Sequence, residues 1–212
     1  MQFVDIHTHR HNVDSEVIAI ESRLYGRDYH VAGLYAAGIH PWDADKVSIH
    51  SAECWLEQQA NAVAIGECGF DFHLGRSNFN QQKKLFELQL DMAQRRGLPV
   101  IVHCVRGYNE LLNVCKDYSS LRLIVHGFCG SLQLMEQLVA KNFYISIGAM
   151  ILKNEKLREV LKEIPDEKLL IETDESSIGI RDIYSCVCRV RDLEIDDLKM
   201  LIYTNFRLVF NL

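Results

Sequence analysis

Residues 2–9, QFVDIHTH, decide the fold: a short apolar run, residues 3–6, ends on two imidazoles. Four further runs repeat the pattern. They are AVAIGE (62–67), LPVIVHC (98–104), RLIVHG (122–127) and KLLIETD (168–174), and in each a polar residue able to bind metal follows several aliphatic positions. His7, His9, Glu67, His103, His126 and Asp174 thus stand where strand-like segments end. A barrel of parallel strands gathers such positions at one rim, because at the C-terminal ends of the strands the inward side chains leave the packed core and meet the loops. The pattern predicts a metal-dependent hydrolase on an α/β fold of the TIM (β/α)8 type.

Working outward, eight β-rich runs can be counted: residues 3–6, 17–21, 33–37, 62–66, 99–103, 122–125, 144–148 and 169–172. Eight is the number that closes this barrel. Helical spacing fills the later connections, most clearly in 80–96, where Leu85, Leu88 and Met92 recur at three- and four-residue steps before Gly97 stops the helix. Helices also fit 51–59, 108–117, 131–140, 154–163 and 195–203. Strand alternating with helix argues for parallel pairing, since parallel neighbours need a crossover. An open doubly wound sheet is the alternative. The first two connections break the rule: about ten residues separate the first two runs, and 22–31 is polar and rich in Tyr and Arg rather than periodic. The expected barrel is trimmed, its first two crossover helices missing or vestigial, with that flank open to solvent or covered by a second copy of the chain.

With 212 residues, 48% hydrophobic and 25% charged, the chain can bury one core, so residues 1–212 are expected to form a single domain. A formal net charge of -6 gives no overall attraction to nucleic acid, so a phosphate-bearing substrate must be drawn by a local site or by bound cations. Seven cysteines, an odd number without a leading secretory segment, fit thiols in a reducing cytoplasm better than a disulfide framework. No apolar run approaches the roughly 18 to 20 residues of a membrane span, so a soluble, unprocessed protein is expected.

His7 and His9, two residues apart on an extended chain, share a face and can chelate one ion, though a lone H-x-H is weak evidence. His11 lies beyond the strand and reads as solvated. Glu67 is costly to bury unless paired, hydrogen-bonded or metal-bound, and a carboxylate can bridge two cations. His103 and His126 end consecutive strands. One such histidine reads as a core or loop residue; two at equivalent positions, beside an H-x-H and a Glu, read as ligands. Asp174 ends the eighth run, next to the first, where it can orient or deprotonate a water. Imidazole and carboxylate donors without a required thiol suit Zn²⁺, Mn²⁺ or a similar ion, and less obviously Mg²⁺.

The motifs DIHTH (5–9), GIHPW (38–42), GECGFDF (66–72), PVIVHC (99–104), VHGFCGS (125–131), ISIGA (145–149), ETD (172–174) and TNFRLVF (204–210), with Gln81 to Phe86, resemble in content and order the TatD-type metal-dependent deoxyribonucleases of the amidohydrolase-like TIM barrels. The resemblance covers nearly the whole chain. It implies two divalent ions per chain: His7, His9 and Asp174 on one, His103 and His126 on the other, and Glu67 bridging. It implies hydrolysis of phosphodiesters, with DNA as substrate. His40, in GIHPW, is implied as a contact to substrate phosphate, or else as a structural residue. Asp71 is placed to orient a ligand histidine through its second nitrogen. Arg106 is a candidate phosphate clamp, with a solvated loop arginine as the alternative.

The chain departs from the family pattern after ETD, where residues 176–188 read as a shortened and altered loop, and at Arg106, which follows His103 by three residues rather than two. Cys68, Cys104 and Cys129 read as small buried fillers, and Cys186-x-Cys188 has the wrong spacing for a zinc knuckle. Two other functions stay open on the same residues: an amidohydrolase or lactonase, which Glu67 in place of a modified lysine argues against, and a non-catalytic interaction module, which retention of all six ligands argues against.

Overall fold

The computed structural model describes residues 1–12, 14–27, 33–73 and 75–212. Among them are eight strands, β1 (Phe3–Thr8), β2 (Val17–Leu24), β3 (Leu34–Gly38), β4 (Ala64–Asp71), β5 (Val100–Val105), β6 (Leu123–Val125), β7 (Tyr144–Ile147) and β8 (Leu169–Ile171). Seven α-helices accompany them: α1 (Ile49–Glu57), α2 (Phe79–Arg96), α3 (Tyr108–Cys115), α4 (Leu132–Ala140), α5 (Glu155–Glu163), α6 (Ile180–Arg191) and α7 (Ile195–Phe210). Between β1 and β2, and between β2 and β3, the described residues contain no helix. Part of the polar segment 22–31 lies outside the described residues.

The chain divides into two compact units, Met1–Glu21 with Val125–Leu212, and Ser22–Ile124. In the first, β1 pairs in parallel with β2 and β7 with β8, and a further parallel bridge joins Thr8 to Asp174. Helix α6 is fixed to β1 by Tyr184, whose buried hydroxyl donates to Val4 O at 3.0 Å and accepts from Val4 N–H at 3.1 Å. Helix α7 is tied by buried Asn205, whose amide donates to Asp166 O at 2.6 Å and Leu169 O at 2.8 Å. Ser131 and Asn154 cap α4 and α5 by accepting from Leu134 N–H and Leu157 N–H, each satisfying one of the free donors at a helix start.

Residues 180–191 correct the sequence reading. They form a regular helix rather than an altered loop, because Ile180, Ile183, Tyr184 and Val187 recur at the spacing of one buried face.

In the second unit β3, β4 and β5 pair in parallel. Helix α2 packs on β4 and ends on Gly97 in the left-handed conformation, as its position after the last apolar residue predicts. Two buried glutamines on its inner face are occupied by main chain: Gln82 exchanges two hydrogen bonds with Asp71, both 2.9 Å, and Gln89 does the same with Ile39, at 2.7 and 3.2 Å.

Two strands carry one residue more than their partners. Three steps on β1, Asp5 to Thr8, face two on β2, Ala19 to Glu21; on β4, Gly66 and Cys68 face the consecutive residues Ile101 and Val102. Such bulges re-aim side chains and are common beside active sites. His7 falls inside the first and Glu67 inside the second. Strand β4 then lies so close to β5 that a Cβ on Gly66 would meet Ile101 O at 2.5 Å.

Candidate metal centre

His7 and Glu67 lie within their strands rather than just past them, and His103 two residues before the end of its own, because β1, β4 and β5 each run two to five residues further than the apolar pattern indicates. His126 follows β6 directly, and Asp174 stands three residues beyond the end of β8.

In the first unit the backbone makes the arrangement. Asp174 N–H donates to His7 O at 2.9 Å and His9 N–H donates to Asp174 O at 3.3 Å. The Asp174 carboxylate thereby sits 3.6 Å from His7 Nε2 and 3.4 Å from His9 Nε2. The His7 ring is 4.6 Å from that of His126, centre to centre, and one ligand atom from each of His7, His126 and Asp174 lies within 4.8 Å of the others. Asp174 adopts a left-handed backbone, φ 55°, a conformation that aspartate tolerates better than most residues.

Two carboxyls lie behind these residues. Glu172, fully buried, accepts from Gly127 N–H at 2.6 Å and lies 3.3 Å from His126 Nδ1, so it fixes the orientation of that ring. Asp5 accepts from Thr173 N–H at 3.0 Å and from the Thr173 hydroxyl at 2.6 Å. Burial pushes the Asp5 carboxyl up to about 7, although both Thr173 bonds pull it down.

In the second unit side chains make the arrangement. His40 Nδ1 accepts from Trp42 N–H at 3.1 Å, capping the short turn Pro41–Asp43, so that its Nε2 lies 3.4 Å from His103 Nδ1 and 3.5 Å from Glu67. Glu67 Oε1 is 2.6 Å from His103 Nδ1, and Asp71 Oδ2 is 3.0 Å from His103 Nε2. Asp71 also accepts from the Trp42 indole N–H at 2.7 Å and from His73 N–H at 2.8 Å. Burial opposes its charge, but the bonds from His103, His73 and Trp42 outweigh that, holding the carboxyl well below the usual range. His40, Glu67 and His103 again offer three ligand atoms within 4.8 Å of one another.

Each group joins two imidazoles to a carboxylate in a largely buried setting, donor chemistry that fits a divalent ion. The sequence pointed to His40 as a contact to substrate phosphate or a structural residue; its Nε2 lies beside His103 and Glu67. Sequence reasoning overlooked Glu172 behind His126 and Trp42 behind Asp71. The ETD and GIHPW motifs contained both. Arg106 is exposed just past β5, with φ 57°.

A family model described as TatD related DNase matches residues 11–211. The chain belongs to the TatD-related DNase family. The 3'-5' ssDNA/RNA exonuclease TatD of Salmonella typhimurium is 36% identical over 154 residues, 69% of this chain but 59% of that protein, less than two thirds of its length. The uncharacterized metal-dependent hydrolase YjjV of Escherichia coli is 32% identical over 199 residues, 84% of this chain and 77% of that one. The crystal structure of YjjV, described as a TatD homolog, matches with a TM-score of 0.85 at 26% identity, over 99% of this chain and 98% of that one. The shared fold is the TIM (β/α)8 type, here without helices in the described parts of the first two crossovers.

Proposed function

We propose that this TatD-family chain is a divalent-metal-dependent hydrolase of phosphodiester bonds in DNA. The observation that carries the reading is the pair of donor groups, one in each unit, each with imidazole and carboxylate atoms within 4.8 Å of one another. One ion is assigned to His7, His9, His126 and Asp174 and a second to His40, Glu67 and His103, with Zn²⁺, Mn²⁺ or Mg²⁺ compatible with nitrogen and oxygen donors. A divalent ion held by such donors would supply Lewis acidity, making water a better nucleophile and stabilising charge on the attacked phosphoryl oxygen.

The remaining roles belong to the chain itself. Asp174 is the most open of the first group, its side chain 40% exposed against 0% for His7 and 11% for His9, so it is the carboxylate that a water can reach and the one assigned to accept the proton. Asp71 and Glu172 hold the rings of His103 and His126. Arg106, exposed beside β5, is assigned to the substrate phosphate as a bidentate donor. The Salmonella relative's name as an ssDNA/RNA exonuclease supports a nucleic-acid substrate, and seven free thiols support a reducing cytoplasm.

The test is a panel in which metal-loaded protein meets single-stranded DNA, a phosphodiester reporter and a set of lactones. Cleavage of DNA that stops with chelator and returns with added divalent ion is expected. Activity confined to the lactones, or undiminished by chelator, overturns the assignment.

A further inference from the structure

We infer that the cleft beside Trp42 is a nucleobase subsite with the Trp42 indole as its stacking platform, an inference that rests on the phosphodiesterase reading above. Trp42 is 62% exposed, the one aromatic among the strongly exposed large hydrophobic residues of the described chain. An exposed tryptophan on a loose loop would have to be ordered by its ligand, at a cost to affinity. This one is ordered in advance. Its main chain caps onto His40, its indole N–H is held by Asp71 at 2.7 Å, and its ring stands edge-to-face with that of His40 at 4.6 Å. The polar edge is thus turned inward and used, and much of the remaining ring surface is left to solvent.

The ring borders a cleft of about 510 Å³ that also includes Asp45, His73, Ser77 and Asn78. The wall opposite is prearranged: Asn78 Nδ2 donates to Asp45 at 3.1 Å, Asn78 Oδ1 accepts from Gln82 at 2.9 Å, and Gln82 is bonded to the main chain of Asp71.

The charge of the lining selects the occupant. Among the described residues of the lining are the Asp45 and Asp71 carboxylates and no lysine or arginine, so the cleft disfavours phosphate and suits a neutral planar ring. Arg76, the nearest guanidinium in sequence, lies instead over the Phe72 ring at 4.4 Å and is paired with Glu110. The Trp42 ring is 6.4 Å from that of His103, so a base stacked on it lies beside the donor group. Stacking of this kind is tolerant of base identity, because every base has a π-face.

Trp42 and Trp55 are the two tryptophans of the chain. Trp55→Phe therefore leaves Trp42 as the sole reporter, and chelator-treated protein can be titrated with a short phosphorothioate oligonucleotide or with an abasic sugar-phosphate chain of equal length. Saturable quenching by the base-bearing chain, absent with the abasic one, is expected. In kinetics, Trp42→Leu should raise KM for DNA by roughly 5- to 150-fold, the equivalent of about 1–3 kcal/mol of stacking, and Trp42→Phe should recover most of it.

Equal quenching by both chains overturns the subsite. So does a loss in kcat with unchanged KM that Trp42→Phe fails to repair, since that outcome reduces Trp42 to a positioning residue acting through Asp71. The two readings fail separately: absence of all phosphodiester cleavage defeats the proposed function, whereas base-dependent quenching is read without turnover.

Discussion

In the first unit the donors are placed by main chain, in the second by side chains. Asp174 reaches His7 and His9 because two backbone hydrogen bonds tie the segment after β8 to β1, and His126 rests on a supporting carboxylate, Glu172. His103 instead hangs on Glu67 and Asp71, and Asp71 on Trp42, His73 and Gln82. A main-chain frame survives most substitutions, since every residue supplies the same N–H and C=O. A side-chain frame fails at any of its links, which makes the second group the fragile one.

Substitution tests this contrast. Glu67→Ala removes a donor from the second group and is expected to abolish hydrolysis with loss of bound metal, read by elemental analysis; retained metal and activity would show that the first group suffices. Asp71→Ala should cost about 100-fold in metal affinity or activity, the upper end for a residue that orients a ligand histidine. Glu172→Gln should cost nearer 10-fold, because Gly127 N–H and the backbone frame stay in place. Equal losses for these two variants would erase the distinction.

Tyr184→Phe strips the hydroxyl that serves both Val4 groups beneath β1 and should lower unfolding free energy by about 1–3 kcal/mol, measured by urea denaturation. Binding of metal to the second group should be unaffected at equal folded fraction.

A further effect is one of pH. The folded pKa of Asp5, about 7, lies above its ordinary 3.8, so the native state holds the proton more tightly than the unfolded chain. Its contribution is full below about pH 4 and is lost as pH rises through 7. Metal-free protein should therefore be less stable at pH 8 than at pH 5, and Asp5→Asn should flatten that slope.

The eight strands were legible because each is a short aliphatic run between polar or turn residues, and the helices because 3.6-residue spacing survives in segments such as Phe79–Arg96. That the described parts of the first crossovers hold no helix was legible in the ten-residue spacing of the first two runs and in the unperiodic composition of 22–31. Helix α6 was legible too, in Ile180, Ile183, Tyr184 and Val187, but its departure from the family's usual sequence drew the reading toward a loop. What single-strand patterns cannot carry is register. Every residue of Ala64–Asp71 is buried, so no alternation betrays the extra residue at Glu67. The support behind the ligands was hidden for a related reason, since the bonds from Trp42 to Asp71 and from His126 to Glu172 join residues 29 and 46 positions apart.

The extra residue in β4 also sets the terms on which this site can be lost. Deleting one codon between Gly66 and Cys68 would leave a more regular strand. Cys68 and everything after it, Asp71 included, would keep its partner on β5, and the residue lost would be Glu67 itself. The bulge therefore isolates one donor: a single in-frame deletion there removes Glu67 and leaves Asp71 in register beside His103.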